Sequence, residues 1–186
     1  MDKAEGECPL PFFALLCYNE EKIAKGIFSM SMERAKAHLE KKGFLDRVIE
    51  PEVQTATVAE AAAALGCEES HIAKTLSFYN ADGGAMLILA AGDAKVDNRK
   101  FKDQFGLKAK MLSADDVEPM IGHAIGGVCP FGVNEGVPVY CDVSLQRFEY
   151  VYPAAGNAHS GVRLTCDELF GAADALEWVD VCKGWE

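Results

Sequence analysis

Asp82-Gly83-Gly84 stands between two runs of strand-forming residues, Thr75 to Asn80 and Ala85 to Ala90, and constrains the fold of this chain more than any other feature. Glycines at a turn supply the positive φ that a tight reversal needs, so the pattern reads as a β-hairpin. A hairpin requires a sheet around it, and the remaining segments tell which kind. Ser31 to Lys42 carries helical spacing through Ala35 and Leu39 and stops at Gly43. Thr57-Val58-Ala59-Glu60 and Thr165-Cys166-Asp167-Glu168 both fit capping boxes, the first followed by an alanine run to Leu65, the second by a helix through Phe170. Glu69 to Lys74 and Lys100 to Phe105 suggest short helices, and Ser113-Ala114-Asp115-Asp116 a cap leading to Ile121. Leu107 to Met111, Val137 to Val143, Tyr150 to Pro153 and Val162 to Leu164 read as strands. This mixture, without a regular βαβ series, predicts an α+β fold with one curved, mixed, largely antiparallel, barrel-like sheet flanked by helices.

Length and composition narrow the classes. The 186 residues fit one domain with a terminal extension, and 49% hydrophobic with 25% charged residues describes a soluble globular chain. The uncharged run Leu10 to Tyr18 is much shorter than the roughly 20 residues of a membrane span. Glu5 and Glu7 precede it where a secretory signal has basic residues, so a cytoplasmic location is expected. Seven cysteines without a C-x-x-C argue against a disulfide framework or structural zinc. The net charge of −11 opposes nucleic-acid binding at first sight, but basic residues cluster over 33–47 and 93–110. Those clusters read either as solvated helix faces or as a local phosphate-facing patch.

Candidate chemistry lies in Gly126-Gly127-Val128-Cys129-Pro130-Phe131-Gly132. Three glycines and a proline shape a backbone that a ligand can approach closely. The stretch holds no acid, base or hydroxyl, so it offers either main-chain recognition or the Cys129 thiol. A nucleophilic thiol needs a base and a group favouring the thiolate. Neither His123 nor His159 has an acidic partner at a telling spacing, which favours Cys129 as a pocket-lining residue. Lys74 lies at the junction of the short helix and the first hairpin strand, in the apolar setting of Ile72, Ala73 and Leu76. It reads as a surface lysine with its stem laid along apolar neighbours, or as an ammonium at a cleft mouth. No paired histidines or carboxylate set suggests a metal.

Taken in order, Ile72-Ala73-Lys74-Thr75-Leu76, Ala90-Ala91-Gly92-Asp93, Ile125 to Gly132, Pro138-Val139-Tyr140 and Ala154-Ala155-Gly156 carry a family pattern. From about Phe28 to Cys182 the chain resembles the YbaK/ProX-type aminoacyl-tRNA editing domains, which also occur as an insertion in bacterial prolyl-tRNA synthetases. The resemblance implies residues 28–186 as the editing domain and 1–27 as an N-terminal extension. It implies hydrolysis of the ester joining a wrong amino acid to the terminal ribose of a tRNA, without metal or organic cofactor. Lys74 and Gly127 then take the reaction centre, Lys74 holding the terminal phosphate or aminoacyl end. Gly127 and Pro130 match the Gly-x-x-Pro loop that positions the carbonyl. Thr75, Gly126, Val128, Cys129, Pro130, Ala154, Gly156 and His159 take substrate-binding positions. The expected partner is the aminoacylated 3′ end of tRNA, with no membrane; self-association and association with a synthetase stay open. The cysteinyl-tRNA(Pro) deacylase branch has Ser and Asp flanking a Gly-Gly-Lys-Arg-Gly loop where this chain has Ala154 and Gly161. Alanine or another small amino acid is therefore as good an expected substrate as cysteine. A non-catalytic binding module of the same fold and a Cys129-dependent ester hydrolase are the rival readings.

Overall fold

In the computed structural model, which describes residues 30–51, 57–157 and 160–185, the hairpin is the centre of the molecule. Strand β2 (Ile72–Tyr79) pairs antiparallel with β3 (Ala85–Ala91) from Ala73↔Ala91 to Tyr79↔Ala85. Asn80, expected as the last strand residue, instead organises the reversal: its side-chain oxygen accepts from the N–H groups of Asp82 and Gly84, and its own N–H donates to the Gly84 carbonyl. Gly83 takes φ +78°, the left-handed conformation that glycine adopts without a Cβ clash.

All seven residues of β3 are buried, which explains the unbroken run Ala-Met-Leu-Ile-Leu-Ala-Ala: a strand in mid-sheet covered on both faces has no solvent side to alternate with. The other members of the central sheet are β5 (Val139–Asp142), β6 (Tyr152–Pro153) and β8 (Glu177–Val179), in the order β6-β2-β3-β5-β8. The sheet is mixed. Its hairpin is antiparallel, whereas β6 joins β2, β5 joins β3 and β8 joins β5 in parallel. Antiparallel pairing resumes at the margins, between β1 (Val48–Ile49) and β7 (Gly161–Val162), and between β4 (Lys95–Val96) and β9 (Cys182–Lys183). The Ala154↔Gly161 bridge ties the edge of the central sheet to β7.

Helices flank this sheet: α1 (30–42), α2 (Val58–Leu65), α3 (Asn98–Phe105), α4 (Ala114–Ile121) and α5 (Cys166–Ala172). The α1 stripe Ser31, Ala35, Leu39 is buried, and Gly43 ends the helix at φ +81°. Both capping boxes form, Thr57 with Glu60 and Thr165 with Glu168, satisfying backbone donors that a helix start leaves open.

Two expectations are corrected. Glu69 to Lys74 is not a helix; a single 3-10 turn spans Glu69–His71, and Ile72 already begins β2, so Lys74 is a strand residue. Leu107 to Met111 is not a strand of its own but a segment running beside the hairpin, with Tyr79 N–H on the Lys110 carbonyl and one bridge, Phe78↔Met111. Among the described residues no helix is long and apolar enough to cross a membrane, and every cysteine is free.

Candidate functional site

Strand β2, helix α2 and the loop between β6 and β7 enclose a cleft of about 220 Å3. Lys74, Thr75, Gly126 and Ala154, four of the expected site residues, line it, together with Ser160, Tyr152 and the apolar face of α2. The fold thus brings Lys74 beside Ala154, 80 positions away, because β6 runs parallel beside β2, with Ile72 opposite Tyr152 and Ala73 opposite Pro153.

Lys74 is half-buried, and its ammonium donates to the carbonyls of Gly92 (3.2 Å) and Ala94. Burial lowers its pKa below the usual lysine value, opposed by the nearby Cys182, Asp93 and Asp142. No ion pair cancels its charge among the described residues, since its direct partners are neutral carbonyls. A cation in that state can still attract an anionic or strongly polar ligand group. Thr75 Oγ1 and Ser160 Oγ are also on the cleft walls, buried and without a hydrogen-bond partner among the described residues.

The glycine loop meets the cleft only at Gly126. Gly127, Cys129 and Pro130 are buried, and Val128 is partly buried; none of the four lines the cleft. The Gly127 N–H is spent on the Ala124 carbonyl at 2.9 Å, whereas the N–H groups of Gly126 and Val128 have no partner among the described residues. A Cβ on Gly127 would stand 2.5 Å from the Gly156 carbonyl oxygen. Gly156, at φ +95°, in turn has room only for hydrogen, since a Cβ there would reach 2.5 Å from the Met32 Cα. Glycine at these two positions lets loop, β6–β7 connection and the first described turn of α1 stack backbone on backbone. His159 lies outside the described residues.

Arg34 secures this stack, and its role was missed in the sequence. Its guanidinium donates to the carbonyls of Gly122 and Gly132 and to Asn134 Oδ1, each at 3.0 Å, so one side chain spans the whole loop. Ser31 Oγ adds a bond from Ala124 N–H at 3.0 Å. The signal available was position: Arg34 precedes Ala35 on the border of the buried α1 stripe, where a lone charge needs partners.

Cys129 has the histidine neighbour that sequence spacing did not reveal. His123 Nε2 is 3.7 Å from Sγ, but it also stands 2.8 Å from the Phe131 carbonyl, to which it donates. A ring nitrogen carrying that proton is no base for the thiol. Burial pushes the Cys129 pKa up to about 12 and the His123 pKa down to about 4. The described residues contain no group of three metal-ligating side chains.

A profile of the aminoacyl-tRNA editing domain matches residues 52–171. The uncharacterized protein YwhH of Bacillus subtilis (strain 168) is 46% identical over 157 residues, 84% of this chain and 100% of YwhH. A proline--tRNA ligase of Shouchella clausii (strain KSM-K16) is 29% identical over 150 residues, 75% of this chain but only 26% of the ligase. Among solved structures, a protein described as a candidate trans-editing enzyme for prolyl tRNA synthetase superposes with a TM-score of 0.75 at 34% identity, covering 83% of this chain and 98% of that one.

Proposed function

The chain belongs to the aminoacyl-tRNA editing domain family, and from that premise we propose that it is a free-standing deacylase hydrolysing the ester of a mischarged tRNA, tRNA(Pro) carrying a small amino acid such as alanine or cysteine. The observation that carries the reading is the cleft itself. Among the described residues it sets the Lys74 ammonium, which carries no ion pair, beside the Gly126 edge, and no carboxylate, thiolate or histidine lines it.

Such a set suits an activated ester. Lys74 anchors the terminal phosphate or the aminoacyl end, and the Gly126 N–H at the cleft edge receives the oxygen that becomes negative when water attacks the carbonyl carbon. The ribose oxygen then leaves with its electron pair and takes up the proton that the attacking water releases. Thr75 and Ala154 shape the amino-acid end, with Gly127, Val128, Cys129, Pro130 and Gly156 as the support of the carbonyl site. His159 is assigned to substrate binding in the same reading. A cleft of about 220 Å3 suits a small side chain, and the proline--tRNA ligase relatives point to tRNA(Pro). The editing unit runs over 28–186 in this reading, residues 1–27 extend it, and it acts in the cytoplasm, where tRNA is charged.

The test is deacylation by the purified protein of tRNA(Pro) charged with alanine, cysteine, serine or proline. Turnover of one or more of the small non-cognate esters, with prolyl-tRNA spared, is the expected outcome. Binding of these tRNAs without turnover would replace the deacylase with a binding module.

A further inference from the structure

Lys74 sits where it does because a short turn holds it. The two carbonyls that receive its ammonium belong to Gly92 and Ala94, on either side of Asp93. That turn is suspended from the segment after β5. The Ala91 N–H donates to Ser144 Oγ at 3.1 Å, and Ser144 N–H is fixed by the buried Asp142 carboxylate, whose other oxygen accepts from Val181 N–H. Asp93 itself is gripped by Arg147 in a two-pronged pair, NH1 to Oδ2 at 3.1 Å and NH2 to Oδ1 at 2.6 Å.

Arg147 is unusually well held for a side chain that still reaches solvent. Its Nε donates to the Ser144 carbonyl at 2.9 Å and NH1 to the Trp185 carbonyl at 2.9 Å, while the guanidinium lies over the rings of Phe148 and Trp185. An isolated surface ion pair contributes little. A planar fork locked by two rings and two carbonyls is different, because its geometry is fixed before Asp93 arrives. Gly92 has no slack on the other side: a Cβ there would fall 1.9 Å from the Glu69 carbonyl oxygen.

We infer that Arg147 is a positioning residue for Lys74, setting the Gly92–Ala94 carbonyls that aim the ammonium through its grip on Asp93. Its importance to the reaction rests on the deacylase reading above, but its effect on Lys74 does not. Two readouts separate them. The first is the rate at which Lys74 is acetylated by an N-hydroxysuccinimide ester at fixed pH, followed by mass spectrometry. The second is kcat/KM for deacylation. Arg147→Met, Arg147→Lys and Asp93→Asn are compared with wild type after matching their Tm values, so that one poorly folding variant does not decide the matter.

Arg147→Met and Asp93→Asn are expected to speed Lys74 acetylation several-fold and to lower kcat/KM about tenfold, the scale of a small misplacement of a positioned group. Arg147→Lys, which keeps the charge but loses the fork, falls between. The double variant is no worse than the single ones, because both remove one unit. Unchanged Lys74 acetylation in the folded variants overturns the inference whatever happens to activity. Faster acetylation with unchanged kcat/KM overturns its importance to the reaction. A wild type that deacylates nothing defeats the deacylase reading while the acetylation rates still decide whether Arg147 positions Lys74.

Discussion

At Cys129 a thiol and an imidazole approach within 3.7 Å, yet their surroundings disarm both. With the thiol pKa pushed to about 12 by burial, only on the order of one molecule in 10⁴ to 10⁵ carries a thiolate near neutral pH. Cys129→Ala is therefore predicted to keep deacylation within about threefold of wild type. It should lower stability by roughly 1–2 kcal/mol, the cost of a small cavity, as read by urea denaturation. His123 makes a pH prediction. Its folded pKa of about 4 lies below the unfolded value, so as pH falls the unfolded chain takes up the proton first. The neutral ring's contribution, on the order of 3 kcal/mol, is complete above about pH 6.5 and is lost toward pH 4. Tm should drop between pH 7 and pH 4.5, and by less in His123→Gln; an equal drop in both would remove His123 as a cause. From the sequence, Cys129 could be weighed as a pocket residue on composition alone. Its histidine neighbour could not be found, because the contact depends on how the loop turns back between positions 123 and 129.

The element that decides the site is α1, through its grip on the glycine loop. Arg34 counts as one more basic residue in the 33–47 cluster when read along the chain, but in the folded molecule it holds Gly122, Gly132 and Asn134. Arg34→Met would strand two carbonyls and an amide oxygen, and is predicted to cost about 2–4 kcal/mol in denaturant titrations. Arg34→Lys should recover only a minor part, since an ammonium cannot reproduce three directed bonds across the loop. Gly127→Ala, whose Cβ would press on the Gly156 carbonyl, should lower deacylation by at least about tenfold through displacement of the Gly126 edge. The long elements were legible: the hairpin, the capped α2 and α5, and the Gly43 stop all carry strong local signals. Strands β1, β4, β8 and β9 were not, because two or three residues are too few for a period and owe their state to partners such as β7 and β5. Lys74 was assigned to a helix end for a similar reason: Ile72 and Ala73 do not by themselves say where the 3-10 turn yields to strand.

For the whole molecule the question is how a chain of net charge −11 would meet the RNA that the proposed function requires. Five of the eleven basic residues in the two clusters are ion-paired: Lys36 with Glu50, Lys42 with Asp174, Arg47 with Glu168, Lys100 with Asp180, and Arg99 near Asp103. The reading of solvated, ion-paired helix faces accounts for these. Within the 93–110 cluster, Lys95, Lys102 and Lys108 are exposed and carry neither an ion pair nor a ring contact among the described residues, which makes them the phosphate contacts that the proposed function would use. About three such contacts predict a slope near −2 in log affinity against log salt for a single strand, reduced by about 0.7 for each lysine changed to glutamine. Fluorescence titrations of labelled tRNA at several salt concentrations measure it, and a flat dependence would mean that these lysines do not face RNA.

The central claim, that an unpaired ammonium and a backbone edge do the work without a covalent nucleophile, is tested most directly by single-turnover deacylation of alanyl-tRNA(Pro) by wild type, Lys74→Ala and Cys129→Ala. Loss of about a hundredfold or more in Lys74→Ala, with Cys129→Ala near wild type, is the predicted result. Retained activity without Lys74, or its disappearance with the Cys129 thiol, would contradict the account.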